Sequence, residues 1–162
     1  MKRIYVLGSL NCDLTISATY LPERGETLKG SDFLMTAGGK GANQAYACAK
    51  LGGTVKMAGA VGKDAFGDML LESLRGVGVD ISCIRRTDKS TGVAVITVIG
   101  GDNRIILSEG ANGVVDEDDV QNLLRDAREG DIFVTQLENP YPVVLYGLRI
   151  AKEKGLYTVF NP

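Results

Sequence analysis

Histidine is absent from the 162-residue sequence, and cysteine occurs three times, at Cys12, Cys48 and Cys83. The cysteines are far apart, odd in number and without a histidine beside them. The sequence therefore predicts neither a zinc site nor a disulfide framework, and a reducing, cytoplasmic location is the expectation.

Long apolar runs and a strong charge imbalance are also missing. No stretch approaches the length of a membrane span, and the opening MKRIYVLGS enters a strand-like run without the plan of a signal peptide. The 18 basic and 20 acidic side chains give a net charge of −2, which argues against binding to nucleic acid or to an anionic membrane. A chain of this length without repeats or linkers favours one domain.

Apolar strand patterns alternate with amphipathic helical patterns along the chain. Strands are predicted at 4–7, 55–61, 131–135 and 156–160, and helices after Gly41, over 66–77, after an N-cap at Asp116 and over 142–153. This order is typical of an α/β fold with a mainly parallel sheet flanked by helices.

Two pairs of short strands interrupt the alternation. They lie at 14–17 with 33–35, read as edge hairpins, and at 93–99 with 104–107. We expect them to form a separate small β sheet, inserted over about residues 13–37 and 91–108 as a lid on the α/β core.

A glycine-rich turn, TAGGKGANQA at 36–45, precedes the first predicted helix. It is neither a P-loop, because Gly41 follows Lys40, nor a dinucleotide fingerprint, because Gln44 stands at the last glycine position. Such a turn offers unpaired N–H groups to a polar ligand, although a glycine hinge with a solvated lysine explains the spacing equally well.

Polar side chains follow the carboxyl ends of the predicted parallel strands, where ligands bind in open α/β sheets. Asn11 and Asp13 follow the first strand, Gly39 to Asn43 opens a helix, and Glu138 follows the strand at 131–135. Carboxylates, an amide and one lysine under a β lid suit a polyhydroxylated ligand.

Six stretches together resemble the pfkB family of carbohydrate kinases, and within it the branch that phosphorylates D-ribose. They are GSLNCD at 8–13, PERGET at 22–27, AGGKGANQA at 37–45, STGVAVI at 90–96, EGANGVV at 109–115 and QLENP at 136–140. They occur in the family's order and at its approximate spacing, and the resemblance as a whole runs from residue 2 to the last residue.

The resemblance implies a role for eight residues. Asn11 and Asp13 would bind sugar hydroxyls, Gly39, Lys40 and Asn43 would form the sugar-contacting turn, Glu138 would add a carboxylate, and Ala94 and Ile96 would be apolar lid positions. Without the resemblance, a turn aspartate, a solvated glutamate and ordinary hairpin packing stay open as explanations.

The family's phosphoryl-transfer motifs have no counterpart in the sequence. The GAGD run with its aspartate base and the NxxE motif are missing, and the candidate Asp64 to Gly67 is expected to lack a helix context. The resemblance implies ATP and Mg²⁺ and leaves a monovalent cation open, but it places no catalytic, nucleotide-binding or metal residue here. We therefore expect a truncated sugar-binding and lid half that does not catalyse alone.

Partners follow from the same reasoning. We expect a small sugar, D-ribose, and a homodimer through the lid or a complementary C-terminal half, with an uncovered edge at 156–160 that promotes self-association. Two alternatives stay open: a kinase for another sugar or a nucleoside, and a non-catalytic sugar-binding or split-enzyme fragment. A non-functional remnant is a third.

Overall fold

The structure is a computed structural model that describes residues 2–162. Its nine strands are β1 Arg3–Leu7, β2 Asn11–Ser17, β3 Ser31–Gly38, β4 Thr54–Gly62, β5 Asp80–Thr87, β6 Gly92–Ile99, β7 Asp102–Ser108, β8 Ile132–Gln136 and β9 Tyr157–Asn161. Its helices are α1 Lys40–Lys50, α2 Ala65–Gly76, α3 Glu117–Leu123 and α4 Tyr141–Glu153, with a 3₁₀ helix at Gly110–Val114.

Five strands form a wholly parallel main sheet in the order β5-β4-β1-β8-β9. Alternate side chains pack on opposite faces: Leu7 and Phe133 lie in a cluster with α3 and α4, whereas Val6 and Val134 lie in a cluster with α1 and α2. Helices on both faces explain why the central strands read as continuous apolar runs. The predicted fold class is confirmed.

The other four strands form a small sheet, called the lid sheet below, in the order β3-β2-β6-β7. Asp13 of β2 lies between Thr36 of β3 and Ala94 of β6, so their side chains share one face. The sequence placed the 14–17 strand at an edge, and this was wrong, because β2 pairs with β6 as well as with β3.

Strand β5 was not predicted. It lies at the edge of the main sheet, and its sequence DISCIRRT mixes polar and apolar side chains instead of forming an apolar run. Arg85 of β5 donates to both carboxylate oxygens of Asp119 at 3.1 and 2.8 Å and to Asp116 at 3.0 Å. An ion pair between distant elements therefore anchors β5 to α3.

Two helix starts depend on aspartate. Asp116 caps α3 and forms a capping box with Asp119, as its sequence predicts. Asp64 caps α2 by accepting from the Gly67 N–H at 2.8 Å. The expectation that Asp64 to Gly67 lacks a helix context was wrong, because the carboxylate itself starts the helix.

Strand β9 is the second edge of the main sheet, and Tyr157, Val159 and Phe160 are exposed along it. Between residues 2 and 162, no helix has both the length and the apolar character needed to cross a membrane.

Candidate functional site

The chain leaves the main sheet at the carboxyl end of β1 and reaches the lid sheet through Gly8, Ser9 and Leu10. The first turn of α1 packs directly on this link, and the Ala42 N–H donates to the Ser9 carbonyl at 3.0 Å. A Cβ atom on Gly41 would lie 2.6 Å from the Gly8 Cα. Glycine is needed at both positions because the two backbones meet there.

Glu138 caps α1 from a different part of the chain. Gly39 precedes the helix with a φ of 92° and has no side chain to cap it. Instead, the Lys40 N–H donates to Glu138 Oε2 at 3.2 Å, and the Ser9 hydroxyl donates to the same oxygen at 2.5 Å. Lys40 Nζ lies 3.7 Å from the other oxygen. The partial positive charge of the helix N-terminus favours the carboxylate there.

Asp13 lies close enough to Glu138 for the charge of that carboxylate to act on it. A Cβ atom on Gly38 would collide with the Asp13 carboxyl group, so this glycine makes room for it. Burial, and secondly the negative charge of Glu138, raises the pKa of Asp13. Among residues 2–162, no group donates a hydrogen bond to Asp13, which leaves its oxygens free to accept from a ligand.

Asn11 lies two residues before Asp13 on the same face of β2. Its side chain is buried, and its Oδ1 accepts from Asn112 Nδ2 at 2.8 Å. Cys12 points to the opposite face and is also buried. Burial, followed by the charges of Asp13 and Asp64, raises the pKa of the Cys12 thiol, which favours its protonated form.

The lid positions continue the face of Asp13. Ala94 lies opposite Asp13 and is buried, whereas Ile96 lies opposite Thr15, two pairs farther along the lid sheet, and is half-buried. Asn43 is exposed and lines a cavity of about 270 Å³ with Ala37 of β3, Tyr46 and other residues of α1 and α2. The structure brings together six of the predicted residues, namely Asn11, Asp13, Gly39, Lys40, Ala94 and Glu138.

Sequence reasoning assigned no role to Ser9 or Asn112. Both lie inside motifs that the sequence singled out, GSLNCD and EGANGVV, yet each acts on a residue more than 100 positions away. A local sequence pattern cannot predict a contact between residues so far apart in the chain.

The comparisons with known proteins agree on one family. The family described as pfkB family carbohydrate kinase matches residues 1–144. The ribokinase of Lactococcus lactis is 38% identical over the whole chain, and the deoxyribokinase of Salmonella typhi is 34% identical over 98% of it. The structure of Arabidopsis thaliana ribokinase complexed with ribose and ATP superposes with a TM-score of 0.87, at 32% identity over 98% of the chain.

The chain spans about half the length of the relatives it matches: 54% of the L. lactis protein, 53% of the S. typhi protein and 53% of the Arabidopsis chain.

Several backbone N–H groups at the starts of α1 and α2 already have acceptors within the described residues. The N-terminal N–H groups of α1 are taken by Glu138 and Ser9, and that of Gly67 in α2 is taken by Asp64. At the start of each of these two α-helices, a carboxylate accepts from one N–H group in the kind of position where a phosphate can bind. Nor do residues 2–162 contain a group of three or more Cys, Asp or Glu side chains arranged to hold a metal ion.

Proposed function

The chain belongs to the pfkB family of carbohydrate kinases, and we propose that it binds D-ribose as the sugar-binding and lid half of a ribose kinase. In the complete fold, the reaction would transfer the γ-phosphoryl group of ATP to the primary hydroxyl of D-ribose, giving ribose 5-phosphate. The names of the L. lactis and Arabidopsis relatives support this choice of sugar.

The observation that carries the proposal is the convergence of Asn11, Asp13 and Glu138 at the junction of the main sheet and the lid sheet. The free Asp13 carboxylate would accept from sugar hydroxyls in charge-assisted hydrogen bonds. Lys40, paired with Glu138 at 3.7 Å and about half exposed, would donate to a sugar oxygen. Ala94 would limit the space above the ring.

We propose that this half does not catalyse by itself. Phosphoryl transfer needs positioning of the nucleotide and stabilisation of the charge on the transferred group. The carboxylate-capped helix starts support the view that ATP, Mg²⁺ and any monovalent ion are held by residues outside this half.

Calorimetric titration with D-ribose tests the first claim, and ADP release with Mg-ATP and D-ribose tests the second. We expect binding without turnover. Asp13→Asn should abolish binding, whereas the control Asp102→Asn, at the exposed start of β7 in the lid sheet, should bind normally. Binding that survives Asp13→Asn would contradict the proposed site. Ribose-dependent turnover would contradict the proposal that this half does not catalyse by itself.

A second candidate ligand is 2-deoxy-D-ribose, because the S. typhi relative named deoxyribokinase is as similar to the chain as some relatives named ribokinase. Parallel titrations separate the two sugars: we expect D-ribose to bind more tightly, and the opposite order would favour the second candidate. D-fructose and a nucleoside in the same assay test the remaining kinase alternatives.

We also propose that the lid sheet mediates a homodimer or that β9 pairs with a complementary C-terminal half. Exposed apolar side chains support both: Phe33, Leu34, Met35, Ile105, Ile106 and Leu107 on the lid, and Tyr157, Val159 and Phe160 on β9.

A further inference from the structure

Asn112, in the 3₁₀ helix, is buried against the link between the main sheet and the lid sheet. Its side-chain amide bonds to both backbone groups of Leu10. The Leu10 N–H donates to Asn112 Oδ1 at 2.9 Å, and Asn112 Nδ2 donates to the Leu10 carbonyl at 3.1 Å.

These two bonds determine the positions of the oxygen and the nitrogen in the side-chain amide of Asn112. A backbone N–H can only donate and a backbone carbonyl can only accept, so the oxygen of Asn112 must face the Leu10 N–H and its nitrogen the Leu10 carbonyl. The uncertainty that usually attaches to an asparagine amide is therefore removed at this position.

The orientation of the Asn112 amide in turn determines the orientation of the Asn11 amide. The second hydrogen of Asn112 Nδ2 is directed at Asn11, whose oxygen accepts it at 2.8 Å, because only the oxygen of that amide can accept. A Cβ atom on Gly92 would collide with both amides, so the pair is packed closely. Asn11 Nδ2 is left at the other end of the planar group, and no group among residues 2–162 accepts from it.

We propose that Asn112 is a positioning residue that holds Asn11 with its NH₂ group towards the ligand. This inference rests on the proposed sugar site. Asn11 and Asp13 share one face of β2, so the site would present an amide donor beside a carboxylate acceptor. A pair of adjacent hydroxyls matches this pattern, since one oxygen accepts from Asn11 while the neighbouring hydroxyl donates to Asp13.

Asn112→Asp is the sharpest test because it keeps the shape of the side chain and removes its donor. The new carboxylate can accept from the Leu10 N–H but repels the Asn11 oxygen. The Asn11 amide should then turn over and donate to residue 112, which leaves two acceptors facing the ligand. We expect the affinity for D-ribose to fall at least about tenfold, the effect of losing one good hydrogen bond.

Asp131→Asn is the matched control. It is the reverse isosteric exchange at another buried side chain, which accepts from the Arg3 and Arg128 N–H groups at the opposite end of β8. It should lower stability without changing the affinity for D-ribose. A purely structural role for Asn112 would make the two variants behave alike.

Side-chain amide NMR supplies a readout that does not depend on affinity. In the unaltered 162-residue chain, the Asn112 NH₂ protons should exchange slowly with solvent, and D-ribose should shift the Asn11 NH₂ signals. In Asn112→Asp, the Asn11 signals should move before any sugar is added.

The outcomes are separable. Unchanged Asn11 signals and unchanged affinity in Asn112→Asp would overturn the proposal. If that variant does not fold, rapid exchange of the Asn112 NH₂ protons in the unaltered chain would overturn it. If the unaltered chain binds no D-ribose, the proposed function fails, and the Asn11 signals of the variant still decide whether Asn112 sets the amide orientation.

Discussion

The Ser9 hydroxyl donates to Glu138 Oε2 at 2.5 Å across 129 positions of sequence. This bond joins the carboxyl ends of β1 and β8 and holds the carboxylate on the N-terminus of α1. It also keeps Glu138 close enough to contribute to the raised pKa of Asp13.

Removing this hydroxyl should loosen the site. Ser9→Ala deletes a hydrogen bond to a charged group, an effect of about 1.5–3 kcal/mol on stability. We expect the affinity for D-ribose to fall about tenfold as Glu138 loses its position. Titration calorimetry and urea unfolding measure the two effects, and Ser82→Ala on β5 is the control. Unchanged values for Ser9→Ala would show that the bond does not matter.

The contact between Gly8 and Gly41 predicts a large cost for one methyl group. Gly41→Ala would place a Cβ atom 2.6 Å from the Gly8 Cα, and we expect a loss of about 1–3 kcal/mol in the free energy of unfolding. Gly76→Ala, at the end of α2, meets no atom within 4 Å and should be neutral or slightly stabilising. Equal urea midpoints for the two variants would contradict this account.

The ionised carboxylate of Asp13 is expected to lower the stability of the chain and to favour the binding of the sugar. Its pKa is raised in the folded chain, so the folded state binds more protons there than the unfolded state does. The contribution of Asp13 to stability is therefore present at low pH and is lost as the pH rises through the raised pKa.

Asp13→Asn should accordingly raise the melting temperature at pH 7 more than at pH 4, while abolishing D-ribose binding. In the unaltered chain, ribose affinity should increase with pH through the same range, because the ionised carboxylate is the better acceptor. A melting temperature at pH 7 below that of the unaltered chain would show that the charge is stabilising.

The ion pair between Arg85 and Asp119 is expected to stabilise the edge strand β5. Arg85→Met leaves the buried Asp119 without its partner, and we expect a loss of about 2 kcal/mol, toward the low end for a buried pair because Arg85 is partly exposed. Arg75→Met, which breaks an exposed pair with Glu72 on α2, should cost less than about 0.5 kcal/mol. Urea unfolding measures the loss of stability in both variants. Equal losses would contradict a larger contribution of Arg85 to stability.

The apolar lid predicts association in solution. Ile105 and Ile106 are 54% and 75% exposed and point to opposite faces of the lid sheet. If the lid mediates a dimer, Ile105→Arg or Ile106→Arg should shift the sedimentation coefficient towards the monomer. Leu51→Arg, at a position 89% exposed after α1, is the control. A dimer that persists in both lid variants would place the interface elsewhere, with β9 the next surface to test.

The sequence predicted the parts of this protein that depend on nearby residues. Apolar runs marked the strands around Val6 and Val134, because strands covered on both faces need apolar side chains throughout. The capping box at Asp116 was readable because its two partners are three residues apart. Asn11, Asp13 and Glu138 could be named as candidates because each directly follows a predicted strand or belongs to a recognisable motif.

Tertiary structure decided the rest. Strand β5 has no apolar run, and the ion pair of its Arg85 with Asp119 anchors it to α3. Glu138 and Asn11 are held by hydrogen bonds from Ser9 and Asn112, contacts that span 129 and 101 positions. Local patterns report the propensity of a segment, whereas the orientation of a buried amide or carboxylate is set by donors and acceptors that only folding brings within reach.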